Sequence, residues 1–542
     1  MIIRNIIAAS LLIGSVITVG AQALKTEISV THEIVPEENS ASKIRLHPTV
    51  MLPEIRQARL IPSLMFSPSE LTPHFSQLEP ADYLVDVKRS QMRGYASLGY
   101  GPVYNLNASA GYRFIEKSDL TLDGYMQFNG MNYNSHFTNF RHIYDDKVNI
   151  HRNTVLIGAN STWKPEGNAG ELKSSIFYSF SGYNFPILDI PTAVVNVSDI
   201  NANLMKVDAL WNGQSGSLNY SIFGEYNMIA FAKNMANNGG KLRGSVNWLC
   251  NQRSTWSLDL GASLVNSTIV GHKGIVNFKP KYEYADSNLT VSVALNVDIK
   301  TGNCKASKNF LIAPEVKLFW QPINYIGIWA NIYGRMDDNN RSLLYNEQAY
   351  LLPQFDAGFS RLYVADAGLT FGPWNGASIG LYGGYVVGKD WYLPSIVTGE
   401  MSQVDIQGAH GGLTLGYDYR QFVSLNVKAE IAQSPKGNYS RGYAFWRDHA
   451  KFNLIAQVKV RPIKPLEVSV SYNLRTNRSK VLLVGDLNLL NIHNLSANAQ
   501  YAINTQWSVK ANVENILNKK WYLGPSMPSQ GIVAMVGATY KF

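Results

Sequence analysis

Eight charged side chains in the last quarter of the chain fall at even spacings: Lys428 and Glu430, Lys459 and Arg461, Glu467 and Arg475, Lys510 and Glu514. Even spacing puts residues on one face of a β-strand. Opposite charges on neighbouring strands could then pair across a wall and orient water or a bound segment; plain solvation of a polar face is the simpler alternative. Other chemistry-bearing types are sparser. His136, His142 and His151 lie near Asp145 and Asp146, and imidazoles with carboxylates can hold a transition metal, but the spacing fits no compact motif. Asp337, Asp338, Asn339 and Asn340 offer oxygens for calcium without regular spacing or a distal Glu. Both stretches are read as solvated loops. Nothing resembles a nucleophile elbow, a phosphate-binding glycine loop or a Cys/His framework. The chain is read as a non-enzyme, with no catalytic, metal or cofactor site.

The elements that carry these charges repeat every second residue. Leu289, Val291, Val293, Leu295, Val297 and Ile299 alternate with Thr290, Ser292, Ala294, Asn296 and Asp298. Leu466 to Arg475 and Val423 to Ile431 alternate likewise, one face apolar and the other polar or charged. Such segments start near 92, 103, 119, 152, 171, 202, 217, 240, 255, 275, 288, 309, 325, 362, 376, 406, 423, 452, 466, 492, 507 and 532, which makes 22 strands. From the second connection onward, tight turns alternate with longer loops. The tight ones include Glu116 to Ser118, Asn212 to Gly216, Asn251 to Ser254, Asp286-Ser287, Arg420 to Phe422, Pro462 to Pro465 and Asn504 to Gln506. The longer ones include 131–151, 183–201, 336–361, 389–405, 435–450, 476–490 and 518–531. Short turns at one rim and long loops at the other are the arrangement of an outer-membrane barrel, with its apolar face toward lipid and its charged face toward the lumen. The fold expected is all-β: a 22-stranded antiparallel transmembrane barrel over 92–542.

What precedes the barrel differs. Residues 1–21 read as a signal peptide, with Arg4, an apolar stretch from Ile6 to Val19 and a Val19-Gly20-Ala21 cleavage pattern. Residues 22–91 form an extended segment with prolines at 36, 48, 53, 62, 68, 73 and 80, which disfavour long regular elements. It is expected to run through the lumen or across its mouth, or to anchor a partner that closes it. The net charge of +9 is spread along 542 residues, so nucleic-acid binding is excluded as a reading. Cys250, beside a tight turn, and Cys304, in a long loop, fall at opposite rims and cannot form a disulfide.

The chain ends on a strand whose Ile532, Ala534, Val536, Ala538, Tyr540 and Phe542 share one face. Tyr540 and the terminal Phe542 resemble the signal by which outer-membrane barrels are recognised for insertion. The run Val513-Glu514-Asn515-Ile516-Leu517-Asn518-Lys519-Lys520-Trp521-Tyr522, followed by Pro525 to Gly531, closely resembles the last two strands of TonB-dependent receptors, which are 22-stranded barrels. Arg93 to Gly101 looks like the first strand of barrel-only relatives in the Bacteroidota. Receptors of that family carry a globular plug ahead of the barrel, and 22–91 does not read as one. The resemblance implies outer-membrane lipids and the barrel-insertion machinery as partners. The missing plug points to a structural or assembly subunit whose lumen is closed by a periplasmic or surface protein. The alternatives are a gated or passive solute channel, or a reduced TonB-linked importer.

Overall fold

The computed structural model describes residues 92–542 apart from 139–144, 167–169, 190–193, 232–234, 269–270, 303–308, 339–357, 395–400, 420–421, 434–435, 438–444, 483–484 and 525–526. The strands are β1 Gly94–Gly101, β2 Asn105–Glu116, β3 Leu120–Thr138, β4 Asp145–Trp163, β5 Glu171–Asp189, β6 Val194–Ser215, β7 Leu218–Phe231 and β8 Met235–Asn251. Next come β9 Ser254–Ser267, β10 Gly271–Ala285, β11 Leu289–Gly302, β12 Phe310–Ile323, β13 Ile326–Asp337, β14 Ser360–Trp374, β15 Ala377–Pro394 and β16 Met401–Tyr419. The last are β17 Val423–Ala432, β18 Phe445–Ile463, β19 Leu466–Leu482, β20 Ile492–Ala502, β21 Trp507–Glu514 and β22 Val533–Lys541. Each pairs antiparallel with its sequence neighbours, and β22 closes on β1 from Tyr95↔Lys541 to Tyr100↔Val536. The result is the expected closed 22-stranded barrel; Lys436–Gly437 and Gly485–Leu489 only prolong its ladder into two connections.

Alternation explains which face looks out. Leu264 is 66% exposed, Ile431 66% and Val536 67%. A polypeptide tolerates such a belt of naked aliphatic side chains only against lipid. Aromatic residues border the belt beside the tight turns: Trp163 packs against Trp211, Trp256 against Tyr282, and Trp507 against Tyr540. Phe542 lies between Tyr540 and Tyr112, while its backbone bonds to Arg93 and Gly94. The last residue thus both closes the ring and completes the aromatic border, the amphipathic position such rings favour at an interface.

Several strands begin earlier than their apolar alternation suggests: β4 at Asp145 rather than near 152, β6 at Val194 rather than 202, β18 at Phe445 rather than 452. Above the bilayer no lipid demands an apolar face, but the backbone ladder continues. Polar cross-strand contacts replace apolar ones, as where Asn149 Nδ2 donates to Asn132 Oδ1 at 2.7 Å and Asn134 Oδ1 at 3.1 Å. Wall height is therefore uneven: β4 to β6 run 19 to 22 residues, whereas β1 has 8, β21 has 8 and β22 has 9. The inner face is also less uniformly polar than the charge pattern implies. Near the loop rim, the lumen-facing Ile150, Tyr183 and Ile229 are buried.

Candidate functional site

The eight charges selected from the sequence lie on β17 to β21, at the alternation positions opposite the lipid-facing residues. Lys428 Nζ stands 3.8 Å from Glu430 Oε2. Glu467 takes Lys459 at 2.8 Å and Arg461 at 2.7 Å, a compact triad beside the β18–β19 turn. Asn512 Nδ2 donates to Glu514 Oε1 at 3.2 Å. Lys510 lies across Gly537, and Arg475 pairs in register with Asn453.

A second arrangement was not visible in the charge list because glycine makes it possible. Tyr382, Gly412 and Glu430 occupy one row across β15, β16 and β17. With no side chain at Gly412, the Tyr382 hydroxyl reaches across and donates to Glu430 at 2.7 Å; a Cβ there would collide with the ring. The neighbouring row repeats the device: Asp366 reaches over Gly384 to His410, with Nε2 and Oδ1 3.1 Å apart and both side chains under a tenth exposed. Lys428 Nζ then lies 5.9 Å from the Tyr382 ring centre, within range of a cation–π contact. These groups form one continuous polar strip on the inner wall.

The third feature is a departure from a simple cylinder. The β12–β13 ladder runs from Ile323↔Ile326 only up to Val316↔Ile332, although β12 stays paired with β11 as far as Ile299↔Phe310. Above Ile332, β13 leaves the wall and crosses the lumen side of β12. Asn296 Nδ2 of β11 donates to Gly334 O at 2.8 Å, and Met336 N donates to Asp298 Oδ2 at 2.9 Å. Those side chains alternate with the lipid-facing Val293, Leu295 and Ile299, so the end of β13 and the start of β14 lie inside the barrel. Pro314 on β12 supplies no N–H to the ladder, and Gly334 fits against the Ala313 methyl. Beneath the folded-in pair, Ile275, Leu311, Ala313, Met336 and Phe359 form a small apolar core.

Alongside this core opens a lumen-facing cavity of about 790 Å³. Its charged lining is balanced, with Lys241, Arg243, Lys279, Lys317 and Arg335 against Asp259, Asp298, Glu315, Asp337 and Asp338. Most are already engaged: Lys279 holds Glu315 at 3.3 Å and Asp259 at 3.8 Å, Lys317 holds Glu315 at 3.1 Å, and Arg335 holds Asp337 at 3.1 Å. Lys241 and Arg243, on one face of β8, have no ion-pair partner among the described residues. Lys241/Arg243 and Glu315/Lys317 show the same two-residue spacing as the charges farther along, but only the inward hairpin that encloses them marks them out, and no residue pattern announces it.

Of the histidines His136, His142 and His151, only the strand registers of His136 and His151 and the side chain of His151 lie among the described residues. His136 pairs in register with Lys147, whereas His151 pairs with Asn132 and approaches Asp199 at 3.7 Å. His142 and Cys304 lie outside the described residues, as do residues 1–91. Cys250 is exposed beside the β8–β9 turn.

No protein-family model matches the chain, and no curated protein matches it. Solved structures do. The ferric enterobactin receptor PfeA of Pseudomonas aeruginosa, as a mutant, superposes with a TM-score of 0.62 at 10% identity, over 84% of this chain and 81% of that one. The FrpB iron transporter of Neisseria meningitidis gives 0.63 at 10% identity, over 84% and 82%. The siderophore receptor PirA of Acinetobacter baumannii gives 0.62 at 11%, over 83% and 80%. At such identities the likeness is one of fold.

Proposed function

We propose that the chain is an outer-membrane barrel that binds and passes a polar, anionic solute through its lumen. The observation that carries this reading is the cavity under the folded-in hairpin. Lys279, Lys317 and Arg335 are held by Asp259, Glu315 and Asp337, whereas Lys241 and Arg243 face the cavity with no ion-pair partner among the described residues. Two cations two residues apart on one strand suit a carboxylate or phosphate, and a confined lumen strengthens their field. The receptors and transporters that share the fold make passage of a solute a natural use of it. Planar-bilayer recordings in a salt gradient test this. Wild type should be anion-preferring, and Lys241→Gln with Arg243→Gln should shift the reversal potential toward zero. An unchanged reversal potential would sink the reading.

The second reading is a structural or assembly subunit with a protein partner. The tall wall of β4 to β6, with its polar asparagine ladder above the bilayer, offers a face for it. Purification in mild detergent should then yield a stoichiometric companion and little conductance. A reduced TonB-linked importer acting through the 22–91 segment remains a variant of the first reading.

A further inference from the structure

Where β13 leaves the wall, it opens a crevice of about 250 Å³ on the lipid side. Ile312, Ile332, Ala365, Tyr385 and Val387, all at lipid-facing positions, line it. The lumen cavity lies directly behind, and both spaces are bounded by Tyr333 and Gly334. A single strand segment therefore separates bilayer from lumen. At a rise of about 3.3 Å per residue and a tilt of about 40°, Gly334 lies roughly 20 Å above the turn rim, at outer-leaflet depth.

We propose that the β12–β13 seam is a lateral portal, through which an amphiphile with a single acyl tail passes between the surrounding membrane and the lumen. The crevice lies within the aliphatic belt, where water is absent and acyl chains are the filling phase. Immediately inside, Ile275 and Leu311 are buried against Met336 and Phe359, with the charged cavity beyond. A tail that parts this contact finds apolar surface on both sides of the seam, and a polar head finds ionic groups beyond it. Above Val316↔Ile332 the hairpin end has no ladder to β12; it is held by its own ladder to β14, by the side chains of Asn296 and Asp298 on β11, and by Met336 and Phe359 packing on Ile275 and Leu311. Gly334, whose Cβ would lie 2.5 Å from the Ala313 methyl, is the point of closure. The portal uses the membrane position of the barrel but not the Lys241/Arg243 site, so either idea can fail alone.

The probe is a fatty acid with a photoreactive diazirine on its tail, added to the full-length protein in lipid nanodiscs, with cross-links mapped by mass spectrometry. Labelling at Ile332 should exceed that at Ile176, an outward position on β5, by roughly tenfold, and a second set should appear at the inward Ile275. Ala313→Cys with Gly334→Cys sets the two Cβ atoms 2.5 Å apart, inside the ~3.8 Å of a relaxed disulfide, so the bridge forms as the strands part by about 1 Å. Oxidation should abolish the Ile275 label and reduction restore it, with Ile332 labelled throughout. Should that pair fail to fold, Ala365→Trp fills the crevice from outside and should suppress both labels, while Ala209→Trp on β6 should not. Even labelling around the belt, or an Ile275 label indifferent to the bridge or to Ala365→Trp, overturns the portal.

Discussion

Replacing Asn515 by Ala should unfasten the last loop without opening the barrel. Asn515 is buried at the top of β21, with φ 49°, a left-handed conformation that Asn tolerates better than Ala. Its Nδ2 donates to Lys519 O at 2.9 Å and Gln530 O at 3.0 Å, and its Oδ1 accepts from Lys519 N at 3.0 Å. Each such bond contributes about 1 kcal/mol net, and forcing Ala into that backbone region costs about 1 kcal/mol more. The loop therefore loses about 3–4 kcal/mol of local stability, which raises its open fraction by a factor of about 10² to 10³. Lys519 and Lys520 are exposed and mark the cleavage site. Trypsin applied to the protein in lipid vesicles should cut the variant about a hundredfold faster, in the regime where cleavage follows the open population. Asn515→Gly, which keeps the backbone preference but loses the bonds, should fall between the two. Cleavage of Asn515→Ala within threefold of wild type would refute the reasoning that this side chain organises the loop.

Gly384→Ala should lower the temperature of heat-induced unfolding on gels, by about 1–3 kcal/mol of stability, since its Cβ would collide with Asp366 and stand 2.8 Å from Ala365 O. Gly383→Ala, whose Cβ meets only His410 O at 3.6 Å, is the matched control and should be silent. His410→Ala removes the imidazole 3.1 Å from Asp366 Oδ1, a buried oxygen with no hydrogen-bond partner among the described residues, and should lower the unfolding temperature on the same gels; Asp366→Asn in the same chain should recover part of the loss, as a double-mutant cycle would show. Cys250 should resist an impermeant maleimide on intact cells and react once the periplasm is opened, because the β8–β9 turn lies at the turn rim; labelling on intact cells would invert the topology.

All 22 strands were legible because lipid on one side and water on the other enforce a period of two on every segment, as in Leu289 to Ile299. Their upper ends were not, since the ladder from Asp145 to Ile150 continues without an apolar face, and polar contacts such as Asn149 to Asn132 and Asn134 take its place. The charges on β17 to β21 could be picked out for the same reason as the strands. The Tyr382–Glu430 and Asp366–His410 pairs could not, because each depends on a glycine in the intervening strand, and one sequence does not say which glycine aligns with which neighbour. The inward turn of β13 left traces in Pro314 and Gly334, but either residue is ordinary in a strand until the register is known.

The closing seam carries a consequence for the membrane itself. Eight residues of β1, tilted by about 40°, rise only about 20 Å, whereas the hydrocarbon layer is about 30 Å thick. Beside Leu98, Tyr100 and Val536, all strongly exposed, the bilayer must pinch to meet the wall, or the barrel must lean toward its short side. Such mismatch costs a fraction of a kcal/mol per ångström along the affected arc. The protein would therefore gather shorter or more disordered lipids at one edge and take a preferred heading among its neighbours, a sorting force set by the length of two strands.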